Sequence, residues 1–241
     1  MRVLVPQGGC PPGGWEAGKR VKLHEQEIRH LQVRRAKDRE QVEVLDGAGL
    51  LGAGTLVQIG GEWMVDLSVA ELRQRPPALA LAVASGDRER FSWMVEKSVE
   101  LGVTRIVPLK TARTAGVATR LKQSHLGRLR RSALESIKQC GVAWAPTVED
   151  PVPLDDFLKQ PLAGAGWLAD QQGAPVPAEL DQRALTVVIG PEGGLTDAER
   201  ESAVSAGYQP VALGVHTLRF ETAALAAAAS ITQARMRGSR G

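Results

Sequence analysis

Cysteine is nearly missing from this chain: among 241 residues there are two, Cys10 and Cys140. They stand far apart and in no CxxC or Cys/His spacing, which excludes a disulfide framework and a thiolate zinc site. His24 and His30 have no third ligand nearby in sequence, so no metal is expected. Aromatic residues make up only 4%, too few for the base-stacking platform of many single-strand binders. No apolar run is long enough to cross a bilayer, and Met1-Arg-Val-Leu-Val5 does not open a signal peptide. A soluble, cytoplasmic protein with no membrane partner is therefore expected. Net charge is only +3, but the sequence pI of about 9.1 hints at a polyanionic partner.

What is present is enough apolar sequence, 43%, for a core. Residues 1 to about 75 read as mostly β. Arg20–Leu23 and Gln41–Leu45 alternate, and Gly52–Ile59 and Glu62–Leu67 flank the hairpin signal Gly60-Gly61. Short strands around a small core suggest a compact barrel. Between them Glu25–Arg35 reads as a helix. Arg29, His30, Arg34, Arg35, Lys37 and Arg39 form a basic cluster, either a solvated face or a set of phosphate contacts. Arg73-Gln-Arg-Pro-Pro77 is the expected boundary, because two prolines favour extended chain. From residue 76 onward the pattern alternates βα, which argues an α/β unit with a parallel sheet. Strands are expected at Ala78–Ala84, Thr104–Leu109, Gly166–Ala169, Leu185–Ile189 and Val211–Leu213. Helices are expected at Asp87–Leu101, Ser124–Gln139, Leu154–Leu158 and Glu221–Arg237.

Two glycine-containing turns in that half draw the attention. Leu185-Thr-Val-Val-Ile189 is a buried-strand pattern, and Gly190-Pro-Glu-Gly-Gly194 stops it. Thr196-Asp-Ala-Glu199 then has the form of a capping box opening a helix. Alone, this is a strand-to-helix turn with or without a ligand. It is neither a Walker loop nor a dinucleotide fingerprint, so an ATP or nicotinamide site lacks its usual support here. About one strand–helix unit later comes a second turn, Leu213-Gly-Val-His-Thr-Leu-Arg219, leading into Phe220-Glu-Thr-Ala223. Turns of this kind emerge at the carboxyl ends of strands, where α/β sheets bind ligands.

The pair IGPEGGLTDAE and LGVHTLRFETAA, in this order, resembles the SPOUT superfamily of knotted methyltransferases. More closely it is similar to the small-subunit ribosomal RNA methyltransferase E family. His216 and Thr217 stand where that family usually has Arg and Ile. Lys97-Ser-Val-Glu-Leu-Gly-Val103 and Thr111-Ala-Arg-Thr114 resemble further segments of it. Ser136-Ile-Lys-Gln139 departs from its usual EQSxR. The resemblance implies a PUA-like RNA-binding β-barrel over residues 1–75. It also implies a SPOUT methyltransferase domain with a trefoil knot over residues 76–241, and a homodimer.

The implied activity is methyl transfer from S-adenosylmethionine to N3 of a uridine in 16S rRNA of the small ribosomal subunit. The donor pocket falls on Ile189, Gly190, Pro191, Gly193, Gly194, Leu213, Gly214, Leu218 and Thr222. The implied catalytic residues are Arg219, as the cation favouring the uridine anion, Glu192, and Glu221, which could equally cap the closing helix. Glu192 could accept from a ribose hydroxyl or from uracil-bound water, and the candidate for taking the proton is His216, because a neutral imidazole can accept near pH 7. Lys22, His30, Arg34, Arg35 and Arg113 would contact RNA, and Arg120, Lys122, Arg128, Arg130 and Arg131 would add to that grip. A non-catalytic RNA-binding protein and a knotted methyltransferase acting on transfer RNA are the competing readings.

Overall fold

The computed structural model describes residues 1–7, 9–11, 14–84, 87–114 and 123–239. The chain forms two compact units. One comprises Met1–Arg75 with Leu134–Ala145, the other Pro76–Ala133 with Pro146–Gly241.

The first unit holds β1 (Arg2–Leu4), β2 (Arg20–Lys22), α1 (Glu25–Arg34), β3 (Gln41–Leu45), β4 (Leu50–Ile59) and β5 (Glu62–Leu72). They form a sheet in the order β1-β3-β4-β5-β2, with β1 parallel to β3 and the other pairs antiparallel. Alternation does the sorting: Val42, Val44, Leu50, Leu56, Val65 and Leu67 turn inward onto Leu31 of α1. Just beyond β2 the His24 amide donates to the Leu4 carbonyl of β1, 3.0 Å. His24 also caps α1, its Nδ1 accepting from the Gln26 amide. Arg35 closes the helix in the left-handed region at φ 54°.

Leu134–Ala145 belongs to this unit for definite reasons. Arg2 donates to the carbonyls of Lys138 and Gln139, at 2.9 and 2.7 Å. Lys138 meets the buried Glu27 carboxylate at 2.5 Å. Ala143 and Gly47 accept backbone bonds from Gly49 and Ala145, both 2.9 Å. The boundary read from the prolines alone left this segment with the residues on either side of it.

The second unit runs β6 (Leu79–Ala84), α2 (Arg88–Glu100), β7 (Arg105–Lys110), α3 (Gln123–Cys140, its last residues counted with the first unit), β8 (Thr147–Val148), β9 (Val152–Pro153), α4 (Leu154–Leu158), β10 (Ala165–Pro175), β11 (Leu185–Ile189), α5 (Asp197–Ser205), β12 (Tyr208–Ala212) and α6 (Phe220–Gly238). The sheet order is β12-β10-β11-β6-β7-β8, with β9 also on β7, and every pairing is parallel. This is the α/β architecture expected from the alternating pattern. β6 and β11 lie in its middle and every residue of both is buried, as parallel strands covered on both faces require.

α2 starts at Asp87, whose carboxylate accepts from the amides of Glu89 and Arg90 at 2.8 and 3.0 Å. Its stripe of Phe91, Met94, Val95 and Val99 is buried, as the spacing predicts. α6 buries Ala223, Ala224, Ala227, Ala228 and Ile231, so small side chains allow close packing along that face. Near its end Arg235 donates to the carbonyls of Ala78 and Arg183, at 3.0 and 2.6 Å. No helix among the described residues is long and apolar enough to cross a membrane.

Candidate active site

β10, β11 and β12 lie side by side and parallel, so their carboxyl ends open on one edge of the sheet. The first glycine turn leaves β11 there. The Gly194 amide donates to the Pro191 carbonyl at 2.7 Å, and Gly194 takes φ +71°, a conformation that side chains with a Cβ rarely adopt. α5 follows at once. Thr196 caps it by accepting from the Glu199 amide, and Glu199 Oε2 accepts in return from the Thr196 amide at 2.8 Å.

The other oxygen of Glu199 accepts from the Ala112 amide at 2.7 Å. That bond fastens the turn at Thr111–Thr114 to the first turn of α5. Burial by itself raises the Glu199 carboxyl. The backbone donors Thr196 and Ala112, then the Thr196 hydroxyl and the Arg113 charge, outweigh it and hold the group below the usual carboxylate value. Arg113 adds a second tie by donating to the Gly193 carbonyl. Thr111 and Thr114 are buried, with their hydroxyls 2.9 Å apart.

β10 supplies the opposite wall. Asp170, just beyond its paired stretch, is held by the Gln172 amide at 2.9 Å and by Arg200 of α5 at 2.6 Å. Gln171 fastens the second glycine turn: its amide donates to the Val215 carbonyl at 3.3 Å, and its oxygen accepts from the Thr217 hydroxyl at 3.0 Å. Gly214 lies against Leu218, whose Cδ1 would stand 3.4 Å from an added Cβ. Phe220 then opens α6 and stacks on Phe91 of α2, ring centroids 6.4 Å apart.

These walls enclose a cavity of about 340 Å³. Of the residues expected to hold a ligand, Ile189, Gly190, Pro191, Gly193, Gly194, Leu213, Gly214 and Leu218 line it, as do Glu192 and His216. Arg219, Glu221 and Thr222 are outside that lining. Arg219 is exposed, caps α6 with its backbone only, and pairs with no described residue. Thr222 is exposed on the first turn of α6, and Glu221 is buried there, 3.9 Å from Arg90 of α2. The reading from sequence missed Asp170, Gln171 and Arg200, which also line the cavity. The signal for Asp170 and Gln171 was available: they directly follow the apolar run Gly166–Ala169, at the carboxyl end of a strand.

Residues 73–232 match the RNA methyltransferase domain family. The chain is 32% identical over 222 residues to ribosomal RNA small subunit methyltransferase E of Synechocystis sp., covering 88% of this chain and 72% of that one. The chain belongs to the ribosomal RNA small subunit methyltransferase E family. Two solved structures are similar over most of their length. One is a methyltransferase from Legionella pneumophila in complex with S-adenosylmethionine, at 25% identity and TM-score 0.78, covering 94% of each chain. The other is ribosomal RNA small subunit methyltransferase E from Neisseria gonorrhoeae, bound to S-adenosylmethionine, at 25% identity and TM-score 0.76, covering 95% of this chain and 96% of that one.

In this family member the residues expected to touch RNA are distributed over both units. Arg113 belongs to the second unit and rests on Gly193. Lys22, His30, Arg34 and Arg35 belong to the first. There Lys22 pairs with Glu62 at 3.5 Å and Arg34 pairs with Glu40, while Arg35, Lys37 and Arg39 are exposed. Arg128 and Arg131 are exposed on α3, and Arg130 is engaged by Asp150 at 2.9 Å. Arg120 and Lys122 lie outside the described residues. His30 has Glu27 one turn away on α1 and gains a carboxylate neighbour that sequence distance hid, Glu135. The Lys138 ammonium already occupies that cluster, 2.5 Å from Glu27 and 3.2 Å from Glu135.

Proposed function

We propose that this protein transfers the methyl group of S-adenosylmethionine to N3 of a uridine in 16S rRNA of the small ribosomal subunit. The observation that carries the reading is the cavity itself. Both glycine turns that mark the family line it, and each is tied to a neighbouring element by a hydrogen bond from outside its own sequence, Arg113 to Gly193 and Thr217 to Gln171.

The cavity suits a cationic nucleoside. Leu168, Ile189, Leu195 and Leu218 offer an apolar slot, turn backbone at Gly190–Gly194 offers amides and carbonyls, and Asp170 and Glu192 offer carboxylates. A wall of apolar side chains with a few convergent polar groups is the usual composition of such sites. When bound, the sulfonium supplies an electrophilic methyl group. An anionic nitrogen is the acceptor that would neutralise its charge, and the apolar slot would limit water around the pair.

The chain's own groups make that nitrogen available. N3–H of uridine is a weak acid, and a cation beside the ring favours its anion. Arg219 stands between Leu218 and Phe220, both of which line the cavity, and its guanidinium is unpaired among the described residues. It is the cation in this reading. Glu192, on the cavity wall, is the group that takes the proton. The first unit, with its five-stranded sheet and the exposed Arg35, Lys37 and Arg39, is the PUA-like RNA-binding domain in this reading. The second is the knotted domain through which two copies pair.

The test is transfer of labelled methyl from S-adenosylmethionine to small subunits that lack the modification, read by nucleoside mass spectrometry. Label is expected as 3-methyluridine. Label in another nucleoside rejects the N3 assignment. No label together with no donor binding rejects the enzyme.

A further inference from the structure

Resting on the methyl-transfer reading, we infer that Arg90 is a positioning residue: it sets the Glu192 carboxylate on the cavity wall and is itself held by Glu221. Arg90 lies in the first turn of α2, on neither glycine turn. Its Nη1 is 3.6 Å from Glu192 Oε1 and its Nε is 3.9 Å from Glu221 Oε1. One guanidinium therefore stands between a carboxylate of the first turn and a carboxylate of the helix that follows the second.

The packing around it fixes this arrangement. Phe91, the next residue after Arg90, stacks on Phe220, the residue before Glu221. Asp87 holds the start of α2 by accepting from the Arg90 amide at 3.0 Å. Both ends of the Arg90–Glu221 contact are thus carried by packed elements rather than by loops.

Glu221 needs this partner. Its side chain is 10% exposed, and its Oε2 is buried with no hydrogen-bond partner. A buried carboxylate is costly unless a cation or donors face it. The start of α6 helps through its backbone dipole, and Arg90 is the cation at hand. Two carboxylates face one guanidinium, so Arg90 orients Glu192 while remaining anchored to Glu221. A planar guanidinium can address two carboxylates at once, whereas the compact ammonium of lysine addresses one.

The experiment uses the full chain and small subunits lacking the modification, at saturating S-adenosylmethionine. It compares single-turnover rates and donor affinities of wild type, Arg90→Ala, Arg90→Lys, Glu221→Gln and the double variant Arg90→Ala/Glu221→Gln. Arg90→Ala is expected to lower the rate by about 100-fold, the scale of a misplaced reacting group, while the donor Kd moves less than about threefold. Added guanidinium at sub-denaturing concentration restores part of the rate to Arg90→Ala and none to wild type. Glu221→Gln slows the reaction alone but adds little in the Arg90→Ala background, as two members of one contact should. Arg90→Lys, which keeps the stem and the charge, falls between.

An Arg90→Ala rate equal to wild type overturns the inference. So does a loss of donor affinity as large as the loss of rate, a failure of guanidinium to rescue, or full additivity with Glu221→Gln. If Arg90→Ala does not fold, Arg90→Lys decides: a wild-type rate overturns the inference, and a reduced rate at unchanged donor Kd supports it. Absence of transfer by wild type itself overturns the methyltransferase reading and this inference with it.

Discussion

Glu199 is where local structure and the candidate site can be tested by one substitution. Its carboxylate accepts from the Thr196 amide at 2.8 Å, the Thr196 hydroxyl at 3.0 Å and the Ala112 amide at 2.7 Å. Glu199→Ala removes all three. The loss of half a capping box costs about 1 kcal/mol, and a hydrogen bond to a charged group is worth about 1.5–3 kcal/mol. Ala112 is exposed and water replaces part of that second bond, so a total of about 2–3 kcal/mol is expected. For a unit of this size that lowers Tm by roughly 4–12 °C.

Glu199→Gln is the informative companion. An amide has one acceptor oxygen where the carboxylate has two, so Gln serves either Thr196 or Ala112 and turns an NH2 toward the other. Its cost should be intermediate, about half of the alanine variant's, because charge-assisted bonds are roughly twice as strong as neutral ones. The sign of the pH dependence follows from the lowered carboxyl. A group whose folded value is depressed gives its full contribution above its unfolded value, ordinarily 4.5. That contribution is lost as pH falls through the lower folded value. The Tm gap between wild type and Glu199→Gln should therefore be constant above this range and shrink as pH falls below it. Thermal melts followed by circular dichroism measure the gap, and calorimetric titration with S-adenosylmethionine reports the turn. Equal melting of wild type and Glu199→Ala at neutral pH, with equal donor affinity, would refute the reasoning.

Two further outcomes are expected. Gly194→Val places a β-branched residue at φ +71°, where even an unbranched side chain costs roughly 1–2 kcal/mol; donor binding by calorimetry should be lost while the fold persists, and an unchanged titration would remove this turn from the donor site. Neutralising Arg35→Gln with Lys37→Gln, both exposed, should weaken RNA binding and flatten its log–log salt dependence by about 1.4–1.8; the same slope as wild type in filter binding would take the first unit's basic cluster out of the RNA contact.

Local devices of the chain were legible because their causes are local. The Thr196-x-x-Glu199 spacing predicts the capping box that forms, and the stripe Phe91, Met94, Val95 and Val99 predicts the buried face of α2. Leu185–Ile189 reads as a buried strand and occupies the sheet interior with all five residues covered.

What escaped depends on partners distant in sequence. Arg2–Leu4 is too short to signal a strand, and becomes one by pairing in parallel with Glu43–Leu45. The strand expected at Gly166–Ala169 runs on to Pro175, because Ala174 and Pro175 pair with Val211 and Ala212 beyond a register shift. Leu134–Ala145 carries no mark of its own, since the helix it begins in is continuous from Gln123. Its allegiance comes from Arg2, Glu27 and Gly47.

The same rule governs the site. The two glycine turns announce themselves because glycine, proline and a cap are consecutive. Thr111–Thr114 after β7, with the Ala112 amide and Arg113, was legible only through its likeness to a family segment. Gln171 after the paired stretch of β10 and Arg90 on α2 do not announce themselves, because each is a single polar residue on another element with no spacing to be read. Gln171 and Arg90 become visible only as side chains hydrogen-bonded or ion-paired to a motif residue, and that is the physical criterion by which the next such residues in this family should be sought.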